Sequence, residues 1–397
     1  MKTVKTYFTQ KIFWGGLAGL AAAALIFTFA FMGSNVNPAP KDLPVALVMK
    51  DQGVQLPNGQ KLEIGKLMQE KLTGNKELPI KWTVLDSEIE AKEELDDRAY
   101  YAALIIPEEF SEHAASLQSP EPVQAEAKLL VNQGKNLNAA NSVAAIMDKV
   151  FTGVNKEISG QMLAQMKAQK MMLSPDQVPQ AAERITLSVE NVNPVRDYNA
   201  GGNSPGMMTQ ILWLTTIISS IVIYLGLKKA SRGRITPSSL AAQLAAGLLF
   251  VSLNSLIILW IATGPLGLEV PDFWDTYGFM VFTAYMFFLM QGALINWIGY
   301  GAMPVLILLF FFSSPVLNMP PEFLPEATQT WLLSWIPFSH SVEGFRTLFF
   351  FNGIGFEEKR WILGMIGLGA FIIMALSLLK AYGKKEETVK KEENMPI

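Results

Sequence analysis

Cysteine is absent from this chain of 397 residues, and histidine occurs only as His113 and His340. The first absence excludes disulfides, thiolate metal sites and cysteine nucleophiles together. The second leaves too few imidazoles for a zinc centre without heavy carboxylate help. Charge is also scarce: Asp, Glu, Lys and Arg make up 17% of the chain, against about 25% in soluble proteins. The shortage is local. Several long runs carry no ionisable side chain, while the rest carries an ordinary density. That pattern excludes a simple soluble enzyme and describes a membrane protein with one sizeable water-exposed part. A net charge of −3 supplies no basic field for nucleic acid.

Catalytic motifs are missing as well. A phosphate-cradling G-x-x-x-x-G-K-[ST] does not occur; the nearest run, residues 59–67, has the wrong spacing and lacks the hydroxyl. Neither G-x-S-x-G nor H-E-x-x-H is present. Ser339, His340, Ser341 and Glu343 lie too close in sequence to supply nucleophile–base geometry, which comes from separated positions; they read as a polar interfacial turn. Glu93, Glu94, Asp96 and Asp97 read as a solvated helix end, and Met166, Met171 and Met172 as packing of an adaptable helix. No catalytic residue, metal or cofactor is expected.

What the chain has is apolar length. A bilayer core needs about 20 consecutive apolar residues in a helix. Residues 13–32, 207–227, 240–263, 279–298, 304–317 and 361–379 contain no Asp, Glu, Lys or Arg, the fifth run being short. Lys2, Lys5 and Lys11 precede the first run, Lys228, Lys229, Arg232 and Arg234 follow the second, and Lys380, Lys384 and Lys385 follow the sixth. Six crossings of the plasma membrane with both termini cytoplasmic put all three clusters inside. Arg346, Lys359 and Arg360 then fall outside, beside Glu343, Glu357 and Glu358. The first run exceeds the ~7–15 apolar residues of a signal peptide and reads as an uncleaved anchor, with Gly15, Gly19 and Ala23 a small-residue stripe on one face.

The expected organisation is a cytoplasmic segment and first span (1–33), an extracytoplasmic α/β domain (34–206), a five-helix membrane block (207–380) and a charged cytoplasmic tail (381–397). Within the second part, residues 44–49, 80–85, 100–106 and 127–131 read as strands and 182–192 as extended. Helical spacing occupies 62–72, 86–95 and 108–117. A long helical pattern over 136–172 reads as a stalk. Strands alternating with helices indicate an α/β fold.

The polar residues inside the runs are neutral: Gln243, Asn254, Gln291 and Asn296. They bond between helices or line a substrate path. Proton coupling normally buries ionisable groups, so transport by this chain would draw its energy from another subunit. Two further places carry candidates. Lys228, Lys229, Arg232 and Arg234 put four cations into seven residues of an inner loop, either holding it inside or docking a partner. Pro337, His340, Glu343 and Arg346 interrupt an aromatic outer stretch that reads as short helices dipping into the outer leaflet. Glu343 and Arg346 are spaced to pair on one helical face.

Four phrases carry a family resemblance. They are residues 44–53 (Pro-Val-Ala-Leu-Val-Met-Lys-Asp-Gln-Gly), 100–111 (a strand ending Ile105-Ile106-Pro107), 193–201 (Asn-Pro-Val-Arg-Asp-Tyr-Asn-Ala-Gly) and 336–346 (Ile-Pro-Phe-Ser-His-Ser-Val-Glu-Gly-Phe-Arg). With the layout of one span, an outer domain and five spans, the chain resembles the ABC-2-type permeases, in particular their phage-infection-protein (YhgE/Pip) branch. The resemblance implies two six-span copies, as a homodimer or heterodimer, in a lipid bilayer. It also implies a cytoplasmic ATP-binding-cassette partner that hydrolyses ATP, and export of a substrate. The alternative from another class is a cell-surface receptor or secretion-accessory scaffold that transports nothing.

Overall fold

The computed structural model describes residues 40–55, 61–116, 122–168, 183–231, 235–333 and 336–393. The expected first span, its small-residue stripe, Arg232 and Arg234 lie outside these residues. The chain divides into two compact units, Ala39–Arg196 and Asp197–Ile397.

The first unit is built on a five-stranded sheet of order β4-β1-β5-β6-β7. Its strands are β1 (Leu43–Met49), β4 (Ile80–Leu85), β5 (Ala102–Ile106), β6 (Ala125–Asn132) and β7 (Ile185–Val192), while β2 (Val54–Gln55) and β3 (Lys61–Leu62) form a separate small hairpin. β1 pairs in parallel with β4 and β5, and β6 with β7; β5 and β6 are antiparallel. β5 is buried throughout and β1 nearly so. That burial is why both read as continuous apolar runs rather than alternating ones.

The helices are α1 (Ile64–Gly74), α2 (Glu88–Asp96), α3 (Phe110–Ala115) and α4 (Leu137–Ala168). Ser87 caps α2 by accepting from the Glu90 amide at 3.1 Å, while the Glu90 carboxylate accepts from the Asp86 amide. α4 buries Ala139, Ala140, Val143, Met147 and Phe151, one helical stripe. The glycine of the phosphate-loop look-alike has a structural use: the Gly65 amide, in the first turn of α1, donates to Asp51 at 3.1 Å. Asp51 also accepts from the Ser111 amide and hydroxyl at 2.8 and 2.6 Å, tying α1 to α3.

The second unit is helical. Among the described residues, four stretches are long and apolar enough to cross a membrane: Ser204–Ala230, Pro237–Thr263, Phe273–Ser313 and Phe356–Leu379. They comprise α5 (Ser204–Ala230), α6 (Pro237–Thr263), α7 (Phe273–Ile298), α8 (Ala302–Ser313) and the first part of α10 (Phe356–Glu393); α9 is Pro337–Phe350. Thr236 and Ser239 form a reciprocal capping box with Pro237 at the first turn of α6, as the Thr-Pro pair suggests. Gly299 ends α7 at φ 61°, a left-handed position suited to glycine. The expected fifth span is not one continuous helix. α8 has 12 residues, which is about 18 Å of helix, and a turn continues it.

Side-chain contacts fix the helix directions. Trp213 meets Phe287 and Ser220 meets Gln291, so α5 and α7 run parallel. Phe279 meets Phe356 and Trp297 donates to the Ile373 carbonyl, so α7 and α10 are parallel too. The Tyr277 and Tyr285 hydroxyls donate to the Ser252 and Leu244 carbonyls, which sets α6 antiparallel to α7.

Candidate functional site

The interior of the helical unit is a polar seam among aromatic side chains. Gln291 of α7 is buried. Its amide donates to the Trp213 carbonyl at 3.2 Å and the Thr216 hydroxyl at 3.0 Å, and its oxygen accepts from Ser220 at 3.2 Å. Gln243 of α6 and Asn296 of α7 form a reciprocal amide pair, 3.3 and 3.0 Å. Asn254 stands apart, half-buried on α6. The four neutral polar residues singled out in sequence therefore form one pair, one three-partner hub and one separate member. In lipid such bonds satisfy groups that water would otherwise serve.

Above the hub, toward the N-terminal ends of α5 and α7, Trp213 is fully buried between Phe287 (5.1 Å, edge-on) and Phe338 of α9 (4.6 Å). The buried hydroxyls of Thr209 and Ser341 bond at 2.8 Å. Sequence reasoning missed Trp213, Thr209 and Ser341: an apolar run shows no sign of which Trp or Ser faces inward. Glycine was the available signal. Gly247 gives its Cβ space to the Phe288 ring, and Gly344 to Phe279.

α9 carries Pro337, His340, Glu343 and Arg346 on a single 14-residue helix, not on several short ones or a polar turn. Pro337 starts it. Ser339 bonds back to the Leu333 and Ile336 carbonyls, and His340 is half-buried. Arg346, 8% exposed, donates to Glu343 at 2.6 Å. Phe338 lies beside Trp213 and Phe287, and Phe345 beside Phe279. α9 therefore starts midway along α5 and α7 and runs toward their N-terminal ends.

At the opposite end of the bundle, the Lys228 ammonium lies 5.9 Å from the Tyr224 ring and 5.7 Å from the Tyr300 ring, and the two rings meet edge-on. Lys229 is exposed beside it. Lys228 and Lys229 thus stand in the last turn of α5 rather than in a loop, and Lys228 joins that turn to the 299–301 turn as a cation beside two aromatic rings. Residues 300–318 continue from there along α5. Tyr300 sits beside Tyr224, the Ser314 carbonyl accepts from Gln210, and Asn318 packs against Gly206.

Known proteins share parts of this chain. The Uncharacterized protein YhgE of Bacillus subtilis (strain 168) is 28% identical over 159 residues, 40% of this chain and 20% of that protein, so the match spans a fifth of the relative's length. A crystallised domain of a putative ABC type-2 transporter from Thermotoga maritima MSB8 aligns over 37% of this chain and 84% of its own, at 19% identity and a TM-score of 0.24. The family described as ABC-2 family transporter protein matches residues 11–379, and the chain belongs to that family.

Proposed function

We propose that the chain is the membrane-spanning permease subunit of an ATP-driven exporter. In this reading it has six spans, cytoplasmic termini in the cell membrane and an extracytoplasmic 34–206 domain, and it works as two copies with a cytoplasmic ATP-binding-cassette subunit. The observation that carries the reading is the chemistry of the interior. Among the described residues, the buried side chains bonded between the spans, Thr216, Ser220, Gln243, Gln291 and Asn296, are all neutral, and the one buried cation of this unit, Arg346 of α9, is held by Glu343 within its own helix. Ion-coupled transport calls for buried ionisable relays, so the drive comes from elsewhere, and ATP hydrolysis belongs to a partner. Gln243, Gln291 and Asn296 are assigned to helix packing, with Asn254 left toward a path or a second copy.

Helix direction supports the span count. α7 and α10 run parallel, so the chain between them has to return the length of the bundle. Residues 300–318 lie along α5 from Tyr224 to Gly206, about 27 Å of helix, against a bilayer core of about 30 Å. They serve as the fifth crossing. α9 then re-enters to mid-depth and climbs out. Irregular backbone at such depth is tolerated where protein surrounds it, as it surrounds α9.

The ATPase is assigned to the end that carries Lys228, Lys229, Arg232 and Arg234. Co-purification from detergent tests this. The chain should retain an ATPase subunit, and Arg232→Ala with Arg234→Ala should weaken that complex, more so at higher salt, because rim charges set association and salt dependence. An unchanged complex in the double variant would leave the cluster only its role in orientation.

A further inference from the structure

We propose that a cleft at the N-terminal end of α7 binds an amphipathic organic cation: an ammonium or similar charge on an apolar body. The cleft, of about 720 Å³, lies between the first turns of α7 and the connection from α9 to α10. That volume falls within the ~300–1,000 Å³ of small-molecule sites. Its far wall exists because the chain reverses sharply after α9. Asn352 and Gly353 take φ of 48° and 86°, and the Gly353 amide returns to the Thr347 carbonyl at 3.1 Å.

Charge and aromatic surface select the ligand. Asp272, Asp275 and Glu357 line the cleft against one cation, Arg360. Arg360 is taken by Glu357 at 2.5 Å, which leaves two carboxylates in excess. Trp274, Phe282 and Phe356 line the same space. Trp274 is 68% exposed, yet its ring is fixed edge-on by Phe273 and Tyr277, at 5.3 and 5.9 Å. The protein already sets one of its own cations against this wall: the Arg360 guanidinium stands 5.9 Å from the Phe356 ring. Ring faces beside carboxylates recognise organic cations; they repel purely anionic ligands such as inorganic phosphate and fatty acids. Among the described residues, no group of three or more carboxylates or histidines is placed to hold a metal ion.

Asp272 also has a structural duty, accepting from the Asp275 amide at 2.8 Å to cap α7. Asparagine caps equally well, so Asp272→Asn with Asp275→Asn removes the charge and keeps the fold. Naming such cations as the exported class rests on the exporter reading; the cleft itself does not. The test is therefore equilibrium binding of tetraphenylphosphonium to the full chain in phosphatidylglycerol nanodiscs. It uses no ATPase or nucleotide, with empty nanodiscs as reference. Saturable binding is expected. It should weaken about tenfold in the double Asn variant, a loss of about 1.4 kcal/mol, and fall in Trp274→Ala. It should tighten in Arg360→Gln, which frees Glu357. Phosphatidylethanolamine added to the nanodisc would compete if the natural occupant is a lipid amine. Unaltered binding would point to a soluble amphiphile, and both outcomes keep the cation site. Binding no greater than in empty nanodiscs, or unchanged in the double Asn variant, overturns it. Failure of ATP-driven transport with this binding intact would overturn the exporter reading alone.

Discussion

At the scale of single residues, two buried groups set local stability by different means. Arg184 is fully buried at the start of β7 and donates to the carbonyls of His113, Ala114 and Val123 and to the Ser116 hydroxyl. Burial pulls its pKa below the ordinary guanidinium value, but guanidinium remains charged in proteins. The carbonyl end of α3, with its partial negative charge, is what receives it. Arg184→Met should therefore strand several acceptors and cost about 3 kcal/mol, read as a lowered melting temperature and faster proteolysis near residues 113–123. Gln291 is the membrane counterpart. Gln291→Leu removes three bonds inside the helical unit, and bonds between helices in lipid average only about 0.6 kcal/mol each. A thermal shift in detergent should report a loss of about 1–2 kcal/mol with insertion intact. Full stability with altered transport would instead move Gln291 to the substrate path.

At the scale of elements, the first unit was largely legible. β4 begins and ends where its alternation does, and Ser87 caps α2 as its sequence position suggests. The outer edges shifted by a few residues: 108–117 contracted to Phe110–Ala115, since Pro107 and the turn after it lie outside the helical ladder. What could not be read was α9. Its apolar, polar and charged residues match neither a span nor a surface helix, because it is buried on most sides by other helices rather than by lipid. Ser341, Gly344 and Arg346 look like interruptions in sequence and are contacts in space. The ion pair on α9 is a sharp test of this packing. Arg346 has a side chain 10% exposed and Glu343 one 36% exposed, so losing one partner costs less than the about 3–5 kcal/mol of a fully buried pair. Reversing Arg346 alone should be the more damaging single change, because it buries a second carboxylate beside the first. The double reversal should recover part of both stability and transport. Equal loss in all three variants would mean that the pair contributes nothing as a pair.

At the scale of the whole molecule, orientation follows from which ends of the helices carry unpaired cations. Three cations, Arg346, Lys359 and Arg360, argue against the six-span orientation by simple counting. Each is paired, to Glu343, Glu358 and Glu357 at 2.6, 3.0 and 2.5 Å, which lowers the cost of carrying them across. The parallel run of α7 and α10 bears on the same point. If Phe273 begins outside, Phe356 begins outside as well, and the Lys-rich end of α10 returns inside with Lys228. A chain with no native cysteine suits a labelling test without background. Single cysteines at Glu93, Ser238 and Asn352 all replace solvent-exposed side chains. With an impermeant maleimide on intact cells, Glu93→Cys and Asn352→Cys should label, and Ser238→Cys only after permeabilisation. Asn352→Cys is the decisive position. Protection there, with Glu93→Cys still labelled, would remove the fifth crossing, and with it the route assigned to residues 300–318. Protection at Glu93→Cys with labelling at Ser238→Cys would invert the whole map and move the cation cleft to the cytoplasmic face.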